Sequence, residues 1–163
     1  MSKKSTQRIP EGQHGVIPHL IVKNGAAAID FYKKAFGAEE LVRMPGPDGK
    51  SVGHSHLRIA GGHVFLADEF PGGGCRAPTS IGGTSVSLHM YVEDVDKAFD
   101  RAVKAGAKVM MPLADMFWGD RFGKLADPYG HEWSLASHVE DVPPEEMKKR
   151  GEKAMAEMAK KPH

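Results

Sequence analysis

Residues 19–38 read HLIVKNGAAAIDFYKKAFGA, and residues 89–107 read HMYVEDVDKAFDRAVKAGA. Each stretch begins with the alternation typical of a strand, changes to apolar residues at helical spacing, and ends at a Gly-Ala pair. His19 and His89 hold the same position in the two stretches, 70 residues apart. A polar residue at the same point of two apolar strands indicates a shared role.

The similarity between the two halves continues beyond these stretches. GHVFLAD at 62–68 matches GHEWSLA at 130–136, and the two helices are predicted to begin after the N-caps Asn24 and Asp94. In each half, the order of predicted elements is strand, helix, strand, strand, strand. The sequence therefore predicts a duplicated βαβββ unit.

The sequence pattern divides the chain into five parts and predicts an α+β fold. The linker PGGGCRAPTSIGG is rich in Gly and Pro, and two prolines followed by two glutamates predict a helix near the C-terminus. The predicted parts are a flexible N-terminal segment (1–15), a first module (16–70), the linker (71–83), a second module (84–140) and a helical tail (141–163).

The composition of the chain narrows the classes of partner and compartment. The 163 residues carry a net charge of +1 with both signs interspersed, which argues against nucleic acid or a membrane surface as the main partner. No apolar run approaches the roughly 20 residues of a membrane span. The polar start and the single cysteine, Cys75, favour a cytoplasmic protein without disulfides.

Three stretches carry a resemblance to a known family: AAAIDFYKKAFGAE (26–39), YVEDVDKAFDRAVKAGA (91–107) and FWGDRFGKLADPYGHEWSLASH (117–138). With its DPYGH turn, the chain resembles the vicinal oxygen chelate superfamily of glyoxalases, bleomycin-resistance proteins and dioxygenases, and most closely its PhnB-like branch. The resemblance implies two tandem βαβββ modules whose strands form a curved mixed sheet around a ligand cleft. It also implies a homodimer, because members often pair modules between subunits.

The resemblance also bears on a metal site. Enzymes of the superfamily bind a divalent metal through a His on the first strand, an acid on the fourth, a His on the fifth and an acid on the eighth. A gapless alignment places poor ligands at these positions, namely Ile17, Leu66, Ser87 and Ser134. Two residues further along each strand stand His19, Asp68, His89 and Ala136. The first three are a tentative metal set for Zn, Ni, Fe or Mn, with Glu132 or His138 as a further donor.

Two clusters are candidate ligand-binding residues of the cleft. The alternation of GHSHLRI places His54, His56 and Arg58 on one strand face, either in the cleft or at an exposed edge. In the cleft, these side chains would suit an anionic or oxygen-rich ligand. The second cluster either stacks on a planar ligand at the cleft mouth or packs on the sheet. It consists of Phe117, Trp118 and Arg121, and Glu132 and Ser134 complete the candidate set.

Three classes of function are compatible with these residues. The leading one is binding of a small anionic or planar molecule in the cleft between the modules, with His19 and His89 as hydrogen-bonding residues. The second is a metal-dependent lyase, thiol transferase or dioxygenase that uses His19, His89 and Asp68 as ligands. The third is a regulatory or interaction domain.

Overall fold

The computed structural model describes residues 6–160, so that the first five residues of the predicted N-terminal segment and the last three of the tail lie outside it. Residues 6–15 contain neither helix nor strand. The first module consists of β1 (His19–Val22), α1 (Gly25–Phe36), β2 (Glu39–Pro45), β3 (Val52–Ile59) and β4 (Gly62–Asp68). After a short α2 (Pro78–Ile81), the second module repeats this order: β5 (Ser87–Tyr91), α3 (Val95–Ala105), β6 (Lys108–Asp115), β7 (Asp120–Ala126) and β8 (Glu132–His138). The predicted duplication is confirmed.

Both module helices begin and end at residues suited to these positions. Asn24 Oδ1 accepts a hydrogen bond from Ala27 N, and Asp94 Oδ1 accepts one from Lys97 N. Gly37 and Gly106 end the helices with φ angles of 67° and 119°, which favour glycine. The two copies thus use the same local devices to position their helices.

The eight strands form two four-stranded sheets, ordered β1-β4-β3-β2 and β5-β8-β7-β6. In each sheet, the first and fourth strands of the module pair in parallel, and the other pairs are antiparallel. The α+β class is confirmed, while the strands that the resemblance placed in one curved sheet form two sheets within this chain. The strands β1 and β5 are free edges of these sheets.

One hydrophobic core joins the two modules through their helices. α1 packs against α3, and Arg101 on α3 donates to the backbone carbonyls of Lys34 and Lys33 at 2.6 and 3.0 Å. The Trp133 ring of β8 lies 5.5 Å from Tyr32 and 4.6 Å from Phe36, both on α1. The inner faces of the strands next to the helices are therefore buried, and α1 and α3 leave the opposite face of each sheet uncovered.

The C-terminal helix α4 (Pro144–Met158) packs beside the second module. Arg150 on α4 donates two 2.8 Å hydrogen bonds to the Glu140 carboxylate. Phe117 lies so close to Gly151 that a Cβ there would stand 3.3 Å from the ring. Among residues 6–160, no helix has both the length and the apolar character needed to cross a membrane.

Candidate functional site

Aromatic and imidazole rings line the uncovered face of each sheet. We call these surfaces the first-module face, formed by His19, His54, His56, His63 and Phe65, and the second-module face, formed by His89, Tyr91, Trp118, Phe122, Ser134 and His138. His19 and His89 are both exposed. The hydrophobic core of the chain is formed by residues on the opposite face of these strands, such as Leu57, Leu66 and Leu135, and the rings are not part of it.

On the first-module face, the side chains surround Phe65. The rings of His19 and His54 lie 5.9 and 5.0 Å from Phe65, and 5.7 Å from each other. His56 Nε2 and His63 Nδ1 are 2.8 Å apart and share a hydrogen bond. The predicted alternation is therefore correct for His54 and His56, which the structure places on the same face as His19.

Electrostatics favour the neutral form of two imidazoles on this face, those of His19 and His56. Burial, together with the neighbouring histidines, lowers the pKa of His19 and of His56 below the ordinary value. A neutral imidazole offers one donor and one acceptor, so these side chains suit hydrogen bonding near pH 7.

Arg58, the third residue of the predicted polar set, extends to the exposed end of β3. There its guanidinium pairs with Glu39 at 2.5 Å. Arg58 thus pairs with an exposed acid rather than with the rings of the first-module face.

On the second-module face, the contacts centre on His89. His89 Nδ1 shares a 2.8 Å hydrogen bond with Ser134 Oγ, and its ring lies 4.7 Å from Tyr91. Phe122 stacks on His89 with a centroid distance of 6.0 Å, and Trp118 contacts Phe122 edge-on at 5.8 Å. The structure thus brings the predicted residues Ser134 and Trp118 to the same face. Glu132 lies half-buried on the same strand, opposite Ser87.

A buried carboxylate, Asp120, which is not among the predicted site residues, lies beneath these side chains. Asp120 Oδ2 accepts hydrogen bonds from Tyr91 Oη at 2.8 Å and from Trp118 Nε1 at 3.0 Å. Its Oδ1 is 2.8 Å from His138 Nδ1. Burial raises the pKa of this carboxyl, but the three hydrogen bonds outweigh burial and lower it overall. An acid between aromatic residues in MFWGDRF was the available sequence signal.

A cavity of about 530 Å³ lies at the seam between the modules. Its lining includes His63 from the first-module face and His89 from the second. The apolar part of the cavity wall includes the side chains of Leu88, Met90 and Trp133. The volume is in the range of small-molecule pockets, roughly 300–1,000 Å³.

Comparison with known proteins identifies the family. The model of the glyoxalase/bleomycin resistance protein/dioxygenase superfamily matches residues 14–135. The chain belongs to this superfamily. The uncharacterized protein Rv0887c of Mycobacterium tuberculosis is 55% identical over 128 residues, which cover 77% of this chain and 75% of the relative.

Solved structures share the fold of this chain. TioX from Micromonospora sp. ML1 is 30% identical, with a TM-score of 0.60, over 77% of this chain and all of TioX. FosX from Listeria monocytogenes, crystallised with Mn(II) and sulfate, shares the fold at 21% identity and a TM-score of 0.56. That match covers 85% of this chain and 97% of FosX.

The register of β4 corrects the position expected for the superfamily's first acid. Asp68 is level with the buried Val22 and lies on the helix side of the sheet, opposite to His19. Its oxygens accept hydrogen bonds from Gly25 N at 2.6 Å and Val52 N at 2.7 Å. The prediction that Asp68 shares a face with His19 is wrong.

The second module has a residue equivalent to Asp68, and its contacts indicate the role of Asp68. Ser137 Oγ accepts a 3.0 Å hydrogen bond from Val95 N, the first residue of α3, as Asp68 does from the first residue of α1. Phe65 is level with His19 and Ser134 is level with His89, so these two residues occupy equivalent places. Asp68 and Ser137 are therefore equivalent anchors of the module helices.

The donor set does not fit the superfamily's metal site. On the strands paired with β1 and β5, the residues level with His19 and His89 are Phe65 and Ser134, so neither strand supplies a carboxylate there. Within residues 6–160, no three His, Cys, Asp or Glu side chains lie close enough together to hold an ion. His19 and His89 belong to different faces, and Asp68 is bound to backbone amides.

The second predicted cluster separates in the structure. Arg121 points to the helix side of its sheet, where it donates to both Asp96 oxygens at 2.8 and 2.7 Å and to Asp115 at 3.1 Å. Phe117 lies 5.0 Å from Trp118 but packs against α4 at Gly151. The arginine therefore does not stand beside the aromatic pair, and of the three only Trp118 belongs to the second-module face.

Proposed function

We propose that the protein binds a small planar molecule with oxygen acceptors between a first-module face and a second-module face. The observation that carries this proposal is the position of the rings: they line the sheet faces that the helices leave uncovered, and Tyr91 is 58% exposed. Exposed aromatic rings stack on planar ligands, and imidazoles supply hydrogen bonds.

The polar groups on these faces favour an anionic ligand. Lys124 is level with Ser134 on β7 and adds a positive charge beside the His89 hydrogen bond. Imidazole N–H groups and a lysine ammonium bind carboxylates and similar oxyanions through charge-assisted or neutral hydrogen bonds. Planar aromatic carboxylates combine both features, so 2-naphthoate is a suitable probe.

A homodimer would complete the binding cleft. Within one chain the module helices pack together, so the ring-lined faces are directed away from the shared core. Two chains related by a twofold axis would oppose the first-module face of each to the second-module face of the other. The free edges of β1 and β5 and the exposed Val86, next to β5, support such a contact.

The metal-dependent alternative has less support from the residues of this chain. The Mn(II) ion belongs to the FosX structure, whose fold this chain shares. In this chain, an aromatic ring and a hydroxyl, not carboxylates, are level with His19 and His89. We therefore propose ligand binding that needs no divalent ion.

Calorimetric titration with 2-naphthoate tests the proposal. Untagged protein is expected to bind the probe equally well before and after EDTA treatment, while His19→Ala/His89→Ala weakens binding at least tenfold. Lys97→Ala, an exposed change on α3, serves as the control and should leave the affinity unchanged. Binding that disappears with EDTA and returns with Mn(II) or Zn(II) would favour the metal-dependent alternative. Light scattering should give twice the 17.7 kDa of one chain.

A further inference from the structure

Asp120 gathers three ring-bearing side chains from three separate parts of the second module. Tyr91 ends β5, Trp118 belongs to the turn before β7, and His138 ends β8. All three donate to or share a hydrogen bond with the Asp120 carboxylate, which is itself 4% exposed. The carboxylate is therefore too deeply buried to be the ligand-contacting group, but it holds the groups that are on the face.

The Asp120 carboxylate takes part in three hydrogen bonds at this position. Its two oxygens offer about four lone-pair sites, and here one oxygen accepts two hydrogen bonds while the other accepts one. Asparagine has nearly the same shape, but one of its oxygens is replaced by an NH₂ donor. Asp120→Asn would therefore weaken the bonds from Tyr91 and Trp118, because the acceptor loses its charge, and it would keep the bond to His138 only in the tautomer whose Nδ1 accepts.

The hydrogen bonds continue from Asp120 into the C-terminal segment. His138 Nε2 is 2.9 Å from Asp141 Oδ1, and the backbone N–H groups of Val139 and Glu140 donate to Gly119 O at 2.9 and 3.0 Å. This fixes the chain that leads to α4 beside Trp118. A cavity of about 300 Å³ lies there, lined by Trp118, His138, Asp141, Val142, Pro143 and Met147.

Residues 141–147 lie beyond the part of the chain that matches the superfamily model, which ends at residue 135. They add a wall to the second-module face at the position of Trp118. A planar group stacked on Trp118 would meet this wall at its edge. The wall and the Trp118 ring are both held in place through Asp120, directly or through His138.

We propose that Asp120 is the positioning residue of the ligand face: it fixes Tyr91, Trp118 and, through His138, the C-terminal wall, and thereby sets which planar ligands fit. This inference rests on the proposed function for its ligand, but the positioning itself is a property of the free protein. Asp120 acts through the residues that it holds and does not contact the ligand.

The test measures positioning and binding separately. The hydrogen bond to Asp120 raises the pKa of the Tyr91 phenol, so ultraviolet titration reports the contact directly. In Asp120→Asn, this phenol is expected to titrate at lower pH, near the ordinary value of about 10. Tyr91→Phe identifies its contribution to the titration curve. The affinity for 2-naphthoate should fall about tenfold in Asp120→Asn, which corresponds to 1.4 kcal/mol.

Asp115→Asn is the matched control, because Asp115 is an exposed acid in the same sheet that pairs with Arg121 on the helix side. It should keep both the phenol titration and the affinity. If Asp120→Asn unfolds, Tyr91→Phe/Trp118→Phe keeps an aromatic ring at both positions and the buried acid but removes two donors, and the same loss of affinity is expected.

Each outcome separates this inference from the proposed function. An unchanged phenol titration in Asp120→Asn overturns the positioning role, whatever the ligand. A probe that binds less tightly to Trp118→Ala but equally well to Asp120→Asn also overturns it, and leaves the proposed function standing. If wild-type protein does not bind 2-naphthoate, the proposed ligand class fails, and the phenol titration alone decides the role of Asp120.

Discussion

The hydroxyl of Tyr32 on α1 donates a 2.6 Å hydrogen bond to Oδ2 of Asp127, 95 residues further along the chain. The same oxygen accepts a 2.9 Å bond from Trp133 Nε1, and Oδ1 accepts from the backbone N–H groups of Tyr129 and His131. Asp127 begins the DPYGH turn that carried the family resemblance. This turn therefore joins the two modules as well as shaping the second.

Removing the Tyr32 hydroxyl should weaken this connection. Tyr32→Phe is expected to lower the free energy of unfolding by about 1–2 kcal/mol, because the buried Asp127 loses one of its hydrogen bonds. Urea denaturation followed by tryptophan fluorescence measures the change. Tyr129→Phe is the control, since the hydroxyl of Tyr129 forms no hydrogen bond within residues 6–160. An equal loss in both variants would contradict the role of the Tyr32–Asp127 bond.

Stability should also decline in alkali. Burial and the neighbouring Asp127 raise the pKa of the Tyr32 phenol well above its ordinary value. Below about pH 10 the phenol is neutral in both states and its contribution is complete. Above that pH, the unfolded chain releases the proton and the folded chain retains it, so stability falls as pH rises towards the folded pKa. Melting temperatures from about pH 8 to about pH 11 should fall less steeply in Tyr32→Phe than in wild-type protein.

Asp68 should matter for stability and not for ligand binding. Asp68→Ala removes the acceptor of two backbone N–H groups and is expected to cost about 1–3 kcal/mol of unfolding free energy. Ser137→Ala, the equivalent change in the second module, should cost about 1 kcal/mol. Urea denaturation measures both, and titration with 2-naphthoate should give wild-type affinity. A folded Asp68→Ala protein that no longer binds the probe would contradict this prediction and would identify Asp68 as a binding residue.

Acidification should strengthen binding of an anionic probe. The pKa values of His19 and His56 are lowered, so both imidazoles are mainly neutral near pH 7 and gain charge only below about pH 6.5. The affinity for 2-naphthoate, which stays ionised, is expected to rise as pH falls from about 7.5 to about 5.5. Calorimetry over this range provides the measurement. His19→Gln should reduce the dependence, and a flat profile in wild-type protein would argue against an anionic ligand.

Alternation and local capping were sufficient to predict much of the fold. Asn24 and Asp94 cap the two helices as expected, and the alternation around His54 and His56 gave the correct face. These features depend on residues close together in sequence. The family resemblance, carried by the DPYGH turn, is confirmed by the match over residues 14–135.

The register of β4 could not be obtained in the same way. GHVFLAD contains apolar residues on both faces, so alternation does not indicate which of them points inwards, and a shift of one residue exchanges the faces. The match of GHVFLAD to GHEWSLA aligned Leu66 with Ser134, whereas the strand pairing makes Phe65 the equivalent residue. Alternation also could not assign the faces of Asp120 and Arg121. The two residues are adjacent and point to opposite faces, and only the pairing of β7 with its neighbours shows that Arg121 is the one on the helix side.

The packing of the module helices against each other has a genetic consequence for the proposed dimer. Each chain would contribute one kind of half-site to one cleft and the other kind to the second cleft. A dimer that combines a His19→Ala chain with a His89→Ala chain would therefore contain one cleft with both histidines and one with neither. Two individually defective alleles would complement each other in a mixed dimer, and one chain carrying both substitutions would not be rescued by another of its kind.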